Sequence, residues 1–195
     1  MTYHAERQLA FSLPNILTYG RIVAVPALVA TFFLNGDFAN WLALGIFTAA
    51  GITDFFDGYL ARIWSQQSAL GRMLDPIADK LLVGAALLML VSNHIISGFS
   101  LWAALIILSR EMLVSGLREY LAEVEVSVPV TQIAKWKTTV QMIAIGFLLS
   151  GPAGEKLIPG VINFGHICLW IAAALTLYTG YDYLRAGIAH VFGDE

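Results

Sequence analysis

Four aspartates are the residues of this chain whose types and spacing most clearly indicate chemistry. Asp54 and Asp57 are three residues apart within a long apolar stretch, and Asp75 and Asp79 are four residues apart shortly after it. Residues three or four apart share one face of a helix, so each pair presents two carboxylates in one direction. Two carboxylates about 5 Å apart repel by roughly 3 kcal/mol at an effective dielectric of 20. Four together therefore need positive counter-charges.

Divalent cations are one source of this positive charge. Two of them would balance four carboxylates, and clustered oxygen ligands select hard ions such as Mg²⁺ or Mn²⁺. No cysteine or histidine is close to the acids in sequence, which argues against zinc. The alternative is that the acids pair only with neighbouring Arg and Lys residues. The regular spacing of all four favours metal binding.

The composition places these acids in a membrane. The chain has 195 residues, of which 58% are hydrophobic and 13% are charged, and its mean hydropathy is +0.72. A soluble domain has about a quarter of charged residues. We therefore expect an integral membrane protein, in which ionisable residues at membrane depth indicate a functional site.

Apolar stretches of roughly twenty residues predict an all-α, polytopic membrane protein with six transmembrane helices. The expected spans are about 14–34, 39–63, 73–96, 99–121, 132–151 and 159–186. Residues 1–11 mix charged and apolar side chains and are a candidate helix on the membrane surface. No second domain is indicated, so 1–195 form one domain. The short loop between the second and third helices predicts antiparallel neighbours, which brings the two acid pairs together.

The distribution of positive charge predicts the orientation of these helices. Most Arg and Lys residues fall at helix ends or loops on one side: Arg7, Arg62, Arg72, Arg118, Lys135, Lys137 and Arg185. Lys156 falls on the other side. Positively charged loops tend to stay in the cytoplasm. Both termini and the acidic cluster are therefore expected on the cytoplasmic side.

The four acids belong to a longer pattern. The chain reads Asp54-Phe-Phe-Asp57-Gly58-Tyr-Leu-Ala61-Arg62, then eight residues, then Gly71-Arg-Met-Leu-Asp75-Pro-Ile-Ala-Asp79. This resembles the full signature of the CDP-alcohol phosphotransferases. The resemblance implies transfer of a phosphatidyl group from CDP-diacylglycerol to an alcohol with release of CMP, two divalent metals, and a homodimer in the inner membrane of a bacterium.

The resemblance also implies roles for individual residues. The implied metal ligands are Asp54, Asp57, Asp75 and Asp79, and Asp79 is also the implied general base. The residues expected to bind CDP-diacylglycerol are Asn15, Thr18, Gly58, Ala61, Arg62 and Gly71. A mechanism through a covalent phosphatidyl-enzyme stays open at this point.

Three further segments, Pro14–Arg21, Ser109–Glu119 and Lys135–Gln141, resemble the bacterial branch of the family whose acceptor is sn-glycerol 3-phosphate. Arg110 falls near the middle of its predicted helix, where an Arg needs an anionic partner or a water-filled cavity. Arg118 follows eight residues later, about 12 Å along the helix and within 80° around it, so both face one wall. We prefer Arg110, Arg118 and Lys135 for the acceptor phosphate, with Lys137 as a further candidate.

Two other kinds of protein could also use these acids. A sibling transferase would use serine, inositol phosphate or phosphatidylglycerol as acceptor, but the cationic residues favour a phosphorylated alcohol over serine. A divalent-cation transporter would leave the spacing of Gly58, Ala61 and Gly71 unexplained, and the outer half of the chain is nearly free of charge. Membrane lipid is an expected partner, and nucleic acid is not.

Overall fold

The computed structural model describes residues 13–64, 69–124 and 132–192. Within these ranges the chain forms six α-helices: α1 (Leu13–Thr31), α2 (Asp37–Trp64), α3 (Ala69–Ser92), α4 (Ser100–Glu123), α5 (Gln132–Leu157) and α6 (Val161–Phe192). The described residues contain no β-strand. The all-α prediction is therefore confirmed, whereas the candidate surface helix at 1–11 lies outside the described residues.

The fifth helix continues past residue 151, where the predicted span ends. Gly151 has φ 49° and ψ −142°, which kinks α5, and the helix then resumes as far as Leu157. A Cβ at this position would lie 2.7 Å from Nδ2 of Asn40 on α2. Glycine is required here for both its backbone conformation and the close approach of Asn40. The chain thus kinks at Gly151, where the predicted span ends, and the helix extends six residues further to Leu157.

The first helix connects the two helices that carry the acids. α1 packs against both α2 and α3, while the direct contact between the described parts of α2 and α3 is slight. Most side chains of α2 and α3 nearest their connection are outside the described residues, so the prediction that the two helices are antiparallel neighbours stays a prediction. α2 also packs against α5, α5 packs against α6, and α6 packs against α4.

Apolar and polar buried residues separate along the bundle. Side chains of the apolar core include Leu28, Phe47, Leu87, Ile107, Ile145 and Leu169. Buried polar side chains include Asn15, Thr18, Arg21, Lys137, Gln141, Thr176 and Thr179. Most of these polar residues fall in the first half of α1 and α5 and in the middle or second half of α6, as expected for helices that alternate in direction. Thr31 and Ser150 are also buried but lie towards the other end, where their hydroxyls donate to backbone carbonyls. One end of the bundle is thus mainly apolar, and the other end encloses the buried charged groups and most of the buried polar groups.

Two helical segments in the described residues are long and apolar enough to cross a membrane, Ser100–Leu121 and Val161–Arg185. The apolar part of α1, Asn15–Thr31, is shorter. Large apolar side chains also cover the outside of the bundle, for example Phe33, Phe99 and Met112. A soluble monomer rarely exposes apolar surface on this scale.

Candidate active site

A buried arginine on α1 forms the centre of an acidic cluster. The Arg21 side chain is 1% exposed, and its Nη1 atom lies 2.6 Å from Oδ1 of Asp54 on α2. The Asp54 side chain is 47% exposed, so its carboxylate faces both the guanidinium and open space. Burying a guanidinium is costly unless an anion accompanies it. Asp54 supplies that anion and also remains reachable by a ligand.

The other acid-bearing helix is held by the preceding turn of α1. Thr18 is buried, and its hydroxyl donates a hydrogen bond of 2.5 Å to Oδ1 of Asp75 on α3. Hydrogen bonds from a hydroxyl to a carboxylate are short and strong. Thr18 and Arg21 are three residues apart on one helix face. α1 therefore positions one aspartate from α2 and one from α3.

Asp79 follows Asp75 by one turn of α3 and is close to both groups of charged residues. Its carboxylate interacts electrostatically with Asp54 and Arg21 and also with Glu111 and Lys137. Asp54 in turn interacts with Asp75. The three acids from α2 and α3 thus lie within electrostatic range of one another, as the sequence predicted.

The donor atoms of this cluster fit a hard divalent cation. Carboxylate oxygens are the ligands that Mg²⁺ and Mn²⁺ prefer, and the mutual repulsion of Asp54, Asp75 and Asp79 favours positive charge among them. No group of three or more such ligands is preformed among the described side chains. The side chain of Asp57, the fourth predicted ligand, lies outside the description. The chemistry of the donor set therefore agrees with metal binding, while the ligand set is incomplete.

A second cluster, which we call the cationic cluster, joins α4, α5 and α6. Lys137 on α5 is buried and donates a hydrogen bond to Oε1 of Glu111 on α4. Nη1 of Arg110 lies 3.8 Å from the same oxygen, and its Nη2 donates to Oγ1 of Thr179 on α6 at 3.0 Å. Glu111 and Thr179 together fix two cations at the polar end of the bundle.

Tyr183 on α6 completes the cationic cluster. The guanidinium carbons of Arg110 and Arg118 lie 6.0 and 5.7 Å from the centre of its ring, which is a favourable cation–π geometry. Both arginines therefore face one wall, as their eight-residue spacing predicted. Gly180 allows this approach, because a Cβ there would lie 3.1 Å from Cγ of Arg110.

The structure describes the side chain of only one of the two candidate lysines of α5. Lys137, the further candidate, reaches the cationic cluster. The side chain of the preferred Lys135 lies outside the description. The same holds for the side chains of Asp57, Ala61 and Arg62 and for the surroundings of Gly58, although all four residues belong to α2. Asn15 and Gly71 are buried near the starts of α1 and α3.

An apolar groove between α2 and α5 leads to the acids. Its volume is about 880 Å³, and most of its lining is apolar, including Phe47, Ile52 and Met142. Asp54 and Asp79 also line it. Gly51 and Gly146 contribute small residues to the two walls. The groove therefore joins an apolar surface to a carboxylate site.

Sequence reasoning assigned no role to several residues of these clusters. Arg21 carried a usable signal, because a charge within an apolar helix normally needs a specific partner. Glu111 directly follows Arg110 in sequence, and its position in the segment Ser109–Glu119 does not by itself indicate a role. Tyr183 and Thr179 lie more than sixty residues further along the chain. Only the packing of α6 against α4 brings them to the site.

Comparison with known proteins identifies the class to which this fold and these clusters belong. The sequence profile of the CDP-alcohol phosphatidyltransferases matches residues 11–178, and the chain belongs to this family. The family is generally dependent on divalent cations.

Similar proteins carry one name, CDP-diacylglycerol–glycerol-3-phosphate 3-phosphatidyltransferase. The chain is 49% identical to the Rickettsia bellii protein over 175 residues, which cover 90% of this chain and 94% of that protein. It is 40% identical to the Cereibacter sphaeroides protein, covering 93% of this chain and 97% of the relative. It is 39% identical to the Escherichia coli K12 protein, with the same coverage of 93% and 97%.

Proposed function

We propose that this protein transfers the phosphatidyl group of CDP-diacylglycerol to sn-glycerol 3-phosphate, giving phosphatidylglycerophosphate and CMP in phospholipid biosynthesis. The observation that carries the proposal is that Asp79 interacts electrostatically both with Asp54 of the acids and with Glu111 and Lys137 of the cationic cluster. A reaction between a metal-bound pyrophosphate and a phosphorylated alcohol needs such a pair of adjoining sites. The similar proteins named above have this activity in their names.

The groove and the acids provide a site for the donor. Its acyl chains fit the apolar groove between α2 and α5, and its pyrophosphate then lies at Asp54 and Asp79, which border the groove. Two divalent cations, Mg²⁺ or Mn²⁺, held by Asp54, Asp57, Asp75 and Asp79 would neutralise the pyrophosphate and the departing CMP. Further proposed contacts to the donor come from Asn15, Gly58, Ala61, Arg62 and Gly71. Thr18 acts on this site by holding Asp75.

Asp79 is the proposed general base. The primary hydroxyl of the acceptor attacks the phosphorus next to diacylglycerol, the new P–O bond forms, and the bond to CMP breaks. Asp79 takes the hydroxyl proton, for which it must lie within hydrogen-bond reach of the acceptor. Its electrostatic interactions with Asp54 and with Lys137 support this role, because they connect it to both proposed substrate sites.

The cationic cluster is the proposed site for the acceptor phosphate. Arg110 and Arg118 share the Tyr183 ring, and Lys137 adds a third positive charge. Arginine guanidinium groups bind phosphate oxygens through two parallel hydrogen bonds, and lysine binds them as a point charge. Lys135 is a further proposed contact.

We also propose that all six helices cross the bacterial inner membrane, with both termini and the active site on the cytoplasmic side. The apolar outer surface of the bundle supports a lipid environment. The polar groups gather at the same end of the bundle as the positively charged loops, which supports the orientation. A homodimer follows from the family resemblance.

The test is an acceptor panel. Purified protein receives CDP-diacylglycerol, Mg²⁺ and either sn-glycerol 3-phosphate, serine, inositol phosphate or phosphatidylglycerol, and CMP release is followed. We expect release with sn-glycerol 3-phosphate. Release with serine or inositol phosphate, and none with sn-glycerol 3-phosphate, would assign the protein to a sibling activity.

A further inference from the structure

We propose that Glu111 selects the acceptor by accepting a hydrogen bond from its central hydroxyl group. This inference rests on the proposed function, because it deepens the assignment of sn-glycerol 3-phosphate as acceptor. It gives a role to a partly buried acid that neither the metal site nor the phosphate site needs.

The contacts of Glu111 leave half of its carboxylate available. Its Oε1 atom meets both Lys137 and Arg110. Within the described residues, neither contact uses Oε2. The Glu111 side chain is 20% exposed, so the carboxylate borders open space and is not sealed in the core. Lys137 fixes the side chain, and Oε2 is left to accept a hydrogen bond from a ligand.

Glu111 also connects the cationic cluster with the acids. It interacts electrostatically with Asp79 and contacts Arg110 and Lys137 directly. The acceptor has a phosphate on one terminal carbon, the reacting hydroxyl on the other, and a second hydroxyl on the carbon between. With the phosphate assigned to the cations and the reacting hydroxyl to Asp79, the central hydroxyl is the remaining polar group of the acceptor, and it is assigned to Glu111.

A carboxylate beside a phosphate site opposes phosphate binding, so its presence there needs an explanation. Its negative charge weakens phosphate binding by pairing with Lys137 and Arg110. A neutral residue would bind phosphate better, but it would not distinguish a hydroxylated three-carbon chain from a plain one. A site built to hydrogen-bond a hydroxyl rejects the analogue that lacks it, because the buried polar group is then left unpaired.

The experiment compares two acceptors on the whole protein. One is sn-glycerol 3-phosphate, and the other is 3-hydroxypropyl phosphate, which lacks only the central hydroxyl. We expect the unmodified protein to prefer the first by at least about tenfold in kcat/KM, the effect of one hydrogen bond to a charged group. In Glu111→Ala the preference should fall towards one, because activity on sn-glycerol 3-phosphate falls further than activity on 3-hydroxypropyl phosphate.

Two variants separate selection from a merely structural role. Glu111→Gln keeps an oxygen that accepts a hydrogen bond and should retain part of the preference even if Glu111→Ala folds poorly. Arg110→Ala should lower activity on both acceptors alike, since both carry the phosphate. An equal loss on both acceptors in Glu111→Ala and Glu111→Gln would show that the acid only holds Lys137 and Arg110, and would overturn the proposal.

Two negative results would have different meanings. If the unmodified protein releases no CMP with either phosphorylated acceptor, the proposed function is wrong. If it uses both acceptors with equal efficiency, the function stands and the role of Glu111 in selection is wrong.

Discussion

Nη1 of Arg21 lies 2.6 Å from Oδ1 of Asp54, so the first aspartate of the signature is paired with a buried cation from another helix. This pair supplies positive charge to the acidic cluster from within the protein. Arg21 therefore already neutralises part of the negative charge of Asp54. A divalent cation bound at Asp54 would provide further positive charge or replace that of Arg21.

Replacing Arg21 should therefore have an effect that depends on metal. Arg21→Met should lower the Tm of metal-free protein by at least about 2–4 °C, the shift that 1 kcal/mol produces in a chain of this size. Added Mn²⁺ should reduce the loss, because the dication supplies the missing charge to Asp54. Thermal unfolding in detergent with and without Mn²⁺ measures both values.

Arg21→Lys is the matched control, since it keeps the positive charge. Its Tm without metal should lie between those of Arg21→Met and the unmodified protein. An equal loss of Tm for Arg21→Met with and without Mn²⁺ would mean that Arg21 acts only in packing.

Asp79→Asn tests the general base. The amide cannot take the hydroxyl proton, so CMP release should fall by about 100-fold or more, while binding of CDP-diacylglycerol in the presence of Mn²⁺ persists. Asp37→Asn is the control, because Asp37 is an exposed acid paired with Lys156 and should leave turnover unchanged. Near-normal turnover in Asp79→Asn would remove Asp79 from this role.

Gly146→Leu tests the groove between α2 and α5. A Cβ at Gly146 would meet Cδ1 of Leu44 at 3.6 Å, an ordinary contact, so the larger side chain enters the groove. Losing the burial of two methylene groups of an acyl chain costs about 1.6 kcal/mol, so KM for a long-chain donor should rise roughly tenfold. A donor with six-carbon chains should be little affected.

Gly45→Leu is the control for that experiment. Gly45 is on α2 but does not line the groove, and a Cβ there meets nothing within 4 Å. Equal effects of Gly146→Leu on long-chain and short-chain donors would place the acyl chains elsewhere.

The hydrogen bonds of the Glu155 carboxylate lead us to expect that the stability of the protein depends on pH. The backbone N–H groups of Gly160 and Ile162 donate to its two carboxylate oxygens at 2.6 and 3.1 Å. These bonds hold the pKa of Glu155 below its ordinary value of 4.5. Since the folded state has the lower pKa, the stabilisation is present above pH 4.5 and is lost as the pH falls through the lowered value.

Glu155→Ala should therefore lower the Tm at pH 7, and its difference from the unmodified protein should shrink below pH 4.5. Lys156→Ala is the control, because its ion pair with Asp37 is exposed and such pairs are worth about 0–1 kcal/mol. A difference that stays constant from pH 7 to pH 3.5 would show that the cap does not depend on the charge of Glu155.

Features set by the period of a single helix were predictable from the sequence. The helical repeat alone placed Arg110 and Arg118 on one wall, and the structure shows both over Tyr183. The all-α architecture followed from the apolar stretches in the same way.

Features set by packing between helices were not predictable. The contact of Arg21 with Asp54 depends on α1 packing against α2, which no spacing within one helix reveals. The choice between Lys135 and Lys137 depends on the rotation of α5. Residues two apart on a helix point in nearly opposite directions, and the sequence does not state which side faces α4.

Removal of divalent cations tests the central claim most directly, namely that the aspartates of α2 and α3 carry out phosphatidyl transfer with the help of metal. CMP release from CDP-diacylglycerol and sn-glycerol 3-phosphate should stop after exhaustive chelation and return when Mg²⁺ or Mn²⁺ is added in excess. Full activity in the chelated protein would contradict the account.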